Sequence, residues 1–192
     1  MISNFGKSLW LVTSLCLAIF CSGCIFDNTP NKEKIQKEVQ ELASLEEKKE
    51  YLENVLIEIQ SFEERREARR FSVDYDAEAL NDEKDMIYLK GFYSISSYFE
   101  EYGYPSRAEL GQYAAFAPYA VVFFSEDSRF IREEQFKYFY GAYRFNDLAE
   151  EVFLNYLLIY YEKLVGKNYR LDRRADVQEN IHAIFDELNV DY

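Results

Sequence analysis

Apolar side chains return every three or four residues along most of the chain after residue 30, the spacing that gathers them on one face of an α-helix. Thr29-Pro30 reads as an N-cap followed by a proline in the first turn, opening a helix through Ile35, Val39 and Leu42. Ser44 and Glu47 have the spacing of a capping box and restart the helix after a short break. Leu52, Val55, Leu56, Ile59 and Phe62 then form its apolar stripe. Glu46 and Lys49 interrupt the heptads, so this segment is expected to pack on the body and not to form a coiled-coil stalk. The run EERREARR at residues 63–70 reads as a solvated helix face and end, with an anion site as the alternative.

Residues 74–85 are acidic and read as a loop leading into a helix over about residues 82–101, with Met86, Leu89, Tyr93 and Phe99 among its apolar positions. Gly103 is placed as a left-handed C-terminal cap, and Pro105 stops continuation. Ser106 and Glu109 have capping-box spacing before ELGQYAAFAPYAVVFF, the most apolar stretch and the expected central helix, which Pro118 should kink or split. Further helices are expected over about residues 128–143, 147–165 (ended by Gly166) and 174–188. Strand alternation is too short to require a sheet, although VVFF at Val121 fits either state. The expected fold is all-α, a single domain of about six helices.

The N-terminus has a different pattern. Lys7 is followed by the apolar run LWLVTSLCLAIF and by Cys21-Ser22-Gly23 before Cys24. About a dozen apolar residues fall short of the roughly 20 that a membrane-spanning helix needs. Ser22-Gly23-Cys24 resembles the lipobox of bacterial lipoproteins, in which a small residue precedes the cysteine that is acylated. Cys21 stands where that family usually has leucine, and Phe20 before it is a poor cleavage neighbour. The resemblance implies a signal peptide at residues 1–23, acylation of Cys24, a tether over residues 24–31 and a helical domain over 32–192. It also implies a cell-envelope location, held to the membrane through Cys24. Ile25 follows the cysteine with no aspartate there, so lipoprotein sorting points to the outer membrane if the host has one. Cys16 and Cys21 leave with the signal, so a disulfide framework within the mature chain is excluded.

Composition narrows the partners. The formal net charge is −13, and loss of Lys7 with the signal makes the mature chain one unit more negative. Nucleic acid is an unsuitable partner for such a chain, and anionic lipid repels it, leaving the lipid as its hold on the bilayer. A basic envelope protein is the partner its field would steer. The alternative is that the charge serves solubility alone. Seventeen tyrosines and sixteen phenylalanines beside seven glycines and three prolines indicate helices packed around an aromatic core.

Tyr102-Gly103-Tyr104-Pro105, Gly111 before an alanine-rich apolar helix, and Gly166-Lys167 give residues 87–169 a resemblance to a bacterial domain-of-unknown-function family of exported proteins. The resemblance implies a helical fold. The family's histidine, Asp-Arg pair and Gln-rich Tyr-Gly motif are replaced here by Ser125, Tyr161-Glu162 and Asn168-Tyr169-Arg170. Any site those groups build in the family is therefore expected to be lost.

Candidate chemistry is sparse. His182 is the sole histidine, and Glu179 with His182 has the Glu-x-x-His spacing of a helical metal ligand pair, but di-iron bundles need that motif twice. A zinc site or a Ser-His-Asp triad would likewise have to be built on this one imidazole. Asp74, Asp76, Glu78, Asp82 and Asp85 approach an EF-hand register, yet Ala79 stands where the loop needs glycine. Thirty-five acidic residues make some pair of carboxylates inevitable, so a glycan hydrolase is legible only from geometry. Gly91, Gly103, Gly111, Gly141 and Gly166 are isolated, so phosphate loops and nucleophile elbows are absent. No cofactor and no metal are expected. The reading is a non-catalytic, protein-binding envelope module, immunity-like or chaperone-like toward a basic partner, with a carboxylate hydrolase as the alternative.

Cys24→Ser should abolish metabolic labelling with radioactive palmitate and release the protein into soluble fractions. Persistent labelling would show that another group carries the lipid.

Overall fold

The computed structural model describes residues 29–70, 76–125 and 133–190. The expected signal peptide, Cys24 and most of the expected tether lie outside the described residues. Among those described, the chain forms seven helices and no strand: α1 (Lys32–Gln40), α2 (Leu45–Arg69), α3 (Ala77–Tyr102), α4 (Arg107–Ser125), α5 (Glu133–Arg144), α6 (Glu150–Val165) and α7 (Val177–Leu188). VVFF is helical, inside α4. No helix in this set is long and apolar enough to cross a membrane.

Helix starts follow the caps, with revisions. α1 begins two residues beyond Pro30, because Asn31 is the residue whose Oδ1 accepts the Lys34 N–H at 3.0 Å. α2 opens on the expected box: the Ser44 hydroxyl accepts from Glu47 N–H, and the Glu47 carboxylate accepts from the Ser44 and Ala43 N–H groups. These bonds hold the Glu47 carboxyl below its ordinary pKa. α3 starts at Ala77, not near residue 82, since Asp76 caps it by accepting from Ala79 N–H. α7 starts at Val177, not near residue 174, on a second capping box of Asp176 and Glu179. The expected start of α6 at Asp147 is also revised. Asp147 accepts the Arg107 N–H at 2.7 Å, so it serves α4 from 40 residues away, and α6 begins three residues later without a side-chain cap. The residues expected to open α5, 128–132, lie outside the described set.

Two glycines turn the chain where no other residue would do so cheaply. Gly103 ends α3 with φ 78° and ψ −163°, a mirror-image extended conformation and not the expected left-handed helical one. Gly111 has φ 87° and ψ 171°, and the break in α4 falls there while Pro118 sits inside helical backbone. The expected kink at Pro118 is thus displaced to Gly111. Pro118 has no N–H for the Ala114 carbonyl one turn back, and the neighbouring carbonyl, Ala115 O, accepts the Tyr104 hydroxyl at 2.9 Å.

Packing centres on α2, α3 and α4, with the most extensive pairing between α2 and α4. α1 lies on α3, while α5 meets α3 and α6, α6 meets α4, and α7 packs on α6. Gly91 of α3 faces side chains of both other central helices. A Cβ there would lie 3.3 Å from Val121 Cγ2 of α4 and 3.5 Å from Ile59 Cδ1 of α2. The second half of the molecule is built from rings. Phe139 stacks on Tyr156 with centroids 4.0 Å apart, and Tyr143 stacks on Phe153 at 4.5 Å. Phe185 brings α7 edge-on to Phe136 and Tyr140. Each such ring buries a large apolar area, and each pair adds about 0.5–1.5 kcal/mol beyond it.

Gly91→Leu should destabilise the fold by about 1–3 kcal/mol through overpacking, whereas Gly91→Ala should stay within about 1 kcal/mol because gained helix propensity offsets the tight contact. Gly103→Val should cost about 1–3 kcal/mol although nothing lies within 4 Å of its Cβ, because the backbone itself resists the side chain. Denaturant midpoints measure both, and an unchanged Gly103→Val midpoint would contradict the backbone argument.

Burial raises the phenols of Tyr98 and Tyr119 to about 12 and those of Tyr104 and Tyr156 well above the ordinary 10. A folded-state pKa above the unfolded value stabilises the fold fully below pH 10, and that contribution disappears as pH rises toward 12. Alkaline titration should therefore show tyrosinate absorbance from these residues rising together with loss of helical circular dichroism. Ionisation of all tyrosines near pH 10 with the helices intact would refute this.

Candidate functional site

The helix α4 is apolar nearly all round its C-terminal half, and a helix can bury only the faces that neighbours cover. Val121 and Val122 point into the core, while Phe123 is left 44% exposed. α6 ends in the same way, with Leu164 and Val165 each 43% exposed. Between α2, α4 and α6 runs an open groove of about 890 Å³, whose apolar surface comes from Val122, Phe123, Phe124 and Ile159. Phe123 is held in place by stacking on Tyr119 at 5.3 Å and meeting Phe124 edge-on at 5.2 Å.

The α2 wall of this groove is a polar relay. Buried Tyr88 donates its hydroxyl to Glu63 Oε1 at 2.6 Å, and Arg66 Nη2 reaches Glu63 Oε2 at 2.6 Å. Glu63 therefore serves both a core phenol and a groove-lining guanidinium. With Glu162 and Lys163 across the groove, the rim carries two acids and two bases. Its local charge is balanced even though the whole chain is strongly acidic.

Of the positions singled out in the sequence, Glu63 and Arg66 of the charged run, Val122, Phe123 and Phe124 of VVFF, Glu162 and Gly166 line this groove, whereas Glu179 and His182 do not. Cys24, the lipidation candidate, lies outside the described residues. His182 is exposed on α7, and Glu179 is occupied in the capping box, its carboxylate accepting the Asp176 N–H at 2.9 Å. Asp74 is outside the described set. Asp76 caps α3, and Glu78, Asp82 and Asp85 ride on that helix, so these acids do not encircle a calcium loop. Among the described residues, no three His, Cys, Asp or Glu side chains gather as a metal-holding group. The residue 63–70 run is threaded by ion pairs: Arg66 to Glu63, Arg65 to Glu83 at 2.6 Å and Arg70 to Glu67.

The motifs behind the family resemblance have structural work here. Tyr102 shares its hydroxyl between the carbonyls of Val39 and Leu42 at the end of α1, and Lys48 Nζ sits 3.6 Å over its ring. Tyr104 donates to the Ala115 carbonyl inside α4, as above. Ser125 is buried and donates to Val122 O at 2.8 Å. Tyr161 donates to Glu187 Oε2 at 2.6 Å, which raises its phenol to about 12, and meets Tyr169 edge-on. Asn180 was not singled out in the sequence at all. It ties the approach to α7, accepting from Asp172 N–H and donating to the carbonyls of Asp172 and Asp176.

Facing, desolvated acids would mark a glycan hydrolase. Among the described residues, the buried polar side chains are Ser94, Ser97, Ser125, Gln135 and Asn180, without a carboxylate among them. Glu100 and Glu134 share a cavity, but both are exposed. Comparison of the chain with protein-family models, with curated proteins and with solved structures finds no match.

Proposed function

We propose that this chain is a lipid-anchored, non-catalytic module of the bacterial cell envelope that binds a basic protein partner, inserting an apolar segment of that partner into the groove between α4 and α6. The groove carries the proposal. Phe123, stacked on Tyr119, lines it together with Val122, Phe124 and Ile159, an apolar surface of the kind that marks contact sites. Acids that sequence spacing offers for chemistry are instead caps and ion-pair partners, as Asp76, Asp147, Glu179 and Glu63 show. Charge and groove have separate roles. The net charge of −13 acts at a distance and steers a cationic partner, whereas the balanced rim leaves affinity to apolar burial. Cys24 and the lipid it would carry place the domain where an envelope partner is reached.

Capture of partners from envelope extract by wild type and by Phe123→Asp tests both roles. The variant changes an exposed ring, so its melting temperature should hold while partner recovery falls at least about tenfold. Association with the captured partner should slow steeply as salt rises. Recovery of acidic partners only, or association rates indifferent to salt, would reject the basic-partner reading.

A further inference from the structure

The segment that joins α6 to α7 is charged opposite to the chain as a whole. Residues 163–174 hold five bases, Lys163, Lys167, Arg170, Arg173 and Arg174, against one acid, Asp172, in a chain whose net charge is −13. Its shape is fixed by the body. Tyr169 meets Tyr161 edge-on at 5.1 Å, Leu171 packs against the core, and the Asp172 backbone bonds to the Asn180 side chain in both directions. Lys167, Arg170, Arg173 and Arg174 are left exposed, and none of their side chains pairs with a carboxylate among the described residues. The acids close by are engaged elsewhere: Asp172 accepts the Arg174 N–H, Asp176 and Glu179 cap α7, and Glu187 accepts the Tyr161 hydroxyl. Just before these cations, Leu164 and Val165 stand half-exposed in the last turn of α6.

Unpaired cations beside exposed apolar side chains fit a bilayer surface, where bases meet anionic headgroups and apolar groups enter the layer beneath. Their place in the fold favours a bilayer over an acidic protein. Lys32, at the start of α1 where the tether enters, shares a cavity with Glu134 in the first turn of α5. Phe136, in that same turn, stacks on Tyr160 of α6 at 4.8 Å, and the next residue, Tyr161, meets Tyr169 of the basic segment. Two helix spacings, on the order of 20 Å, therefore separate the tether's entry from these cations. The six residues from Cys24 to Thr29 reach about 20 Å at most, so a lipid at Cys24 holds this side of the domain near the membrane. Net charge does not oppose the contact. Screening at physiological salt confines a charge's reach to about 8 Å, so the bilayer meets the segment laid against it and not the chain's total.

We propose that residues 163–174 are the bilayer contact of the domain, with Lys167, Arg170, Arg173 and Arg174 on anionic phospholipid headgroups and Leu164 and Val165 in the interfacial layer. The contact rests on the lipid-anchored reading for its bilayer, but its test uses protein without the lipid, so acylation of Cys24 and this contact stand or fall separately. Residues 24–192 carrying Cys24→Ser, which keep every described helix, are titrated with phosphatidylcholine vesicles with and without about one-third phosphatidylglycerol, at low and at physiological salt. Binding should be at least about tenfold tighter to the anionic vesicles and should weaken as salt rises. Lys167→Gln, Arg170→Gln, Arg173→Gln and Arg174→Gln together should remove that preference with the melting temperature unchanged. Should the fourfold change disturb folding, Arg173→Gln with Arg174→Gln alone should still weaken binding at least about fivefold. Leu164→Ser with Val165→Ser should weaken it at least about threefold. Equal binding to neutral and anionic vesicles, no binding to either, or a folded glutamine variant that binds like its parent would overturn the assignment. Salt-sensitive self-association in place of vesicle binding would overturn it too, by showing that the segment docks on an acidic protein surface.

Discussion

Gly103 occupies a region of backbone space that side chains other than hydrogen rarely enter, and the two tyrosines around it depend on that turn. Tyr102, on the last turn of α3, reaches the open carbonyls at the end of α1. Tyr104, just past the turn, reaches a carbonyl inside α4. One reversal thus joins the N-terminal helix, the long α3 and the central α4. It also brings α4 back along α3 so that Val121 can approach Gly91 closely, with Ile59 of α2 on the same spot. A side chain at Gly103 or a bulky one at Gly91 would disturb this arrangement by different routes, the first through torsion and the second through volume.

The acidic composition is less chemical than it looks. Carboxylates at the starts of α2, α3, α4 and α7 accept backbone N–H groups that no helix can satisfy internally. Others pair with arginine and lysine across helices, as Glu83 with Arg65 and Glu58 with Lys90. Such exposed pairs contribute little stability, about 0–1 kcal/mol each. What remains is a field, and a field recruits or repels partners without defining a reaction.

Aromatic residues meet a geometric limit. Seven helices of this size can cover most, but not all, of the rings that the sequence supplies. In the half formed by α5, α6 and α7 the rings stack on each other, with Phe139, Phe153, Tyr156 and Phe185 fully buried and Phe136, Tyr140 and Tyr143 partly so. At the end of α4 none of the described helices fully covers Phe123, and the same helix faces that make the core so apolar leave a groove at its edge. Gln135 is the converse case, a polar side chain buried on α5 and bonded to Ser96 of α3.

Features set by neighbours along the chain were legible in the sequence. Helical periodicity gave the all-α class, Ser44 and Glu47 are close enough to cap each other, and Gly103 and Gly166 stop helices because their own backbones can take positive φ. Features set by residues far apart were not. Asp147 looked like the start of its own helix and instead caps α4, and Pro118 looked like a kink although the break fell at Gly111. Glu179 looked like a ligand beside His182 until its capping bond was in view. The tightness at Gly91, the Tyr88 to Glu63 bond and the burial of Gln135 each depend on which helix lies opposite. Spacing records what a residue can do within about a turn of its own helix, whereas burial and partnership are decided by packing, which brings together segments that the chain separates by tens of residues.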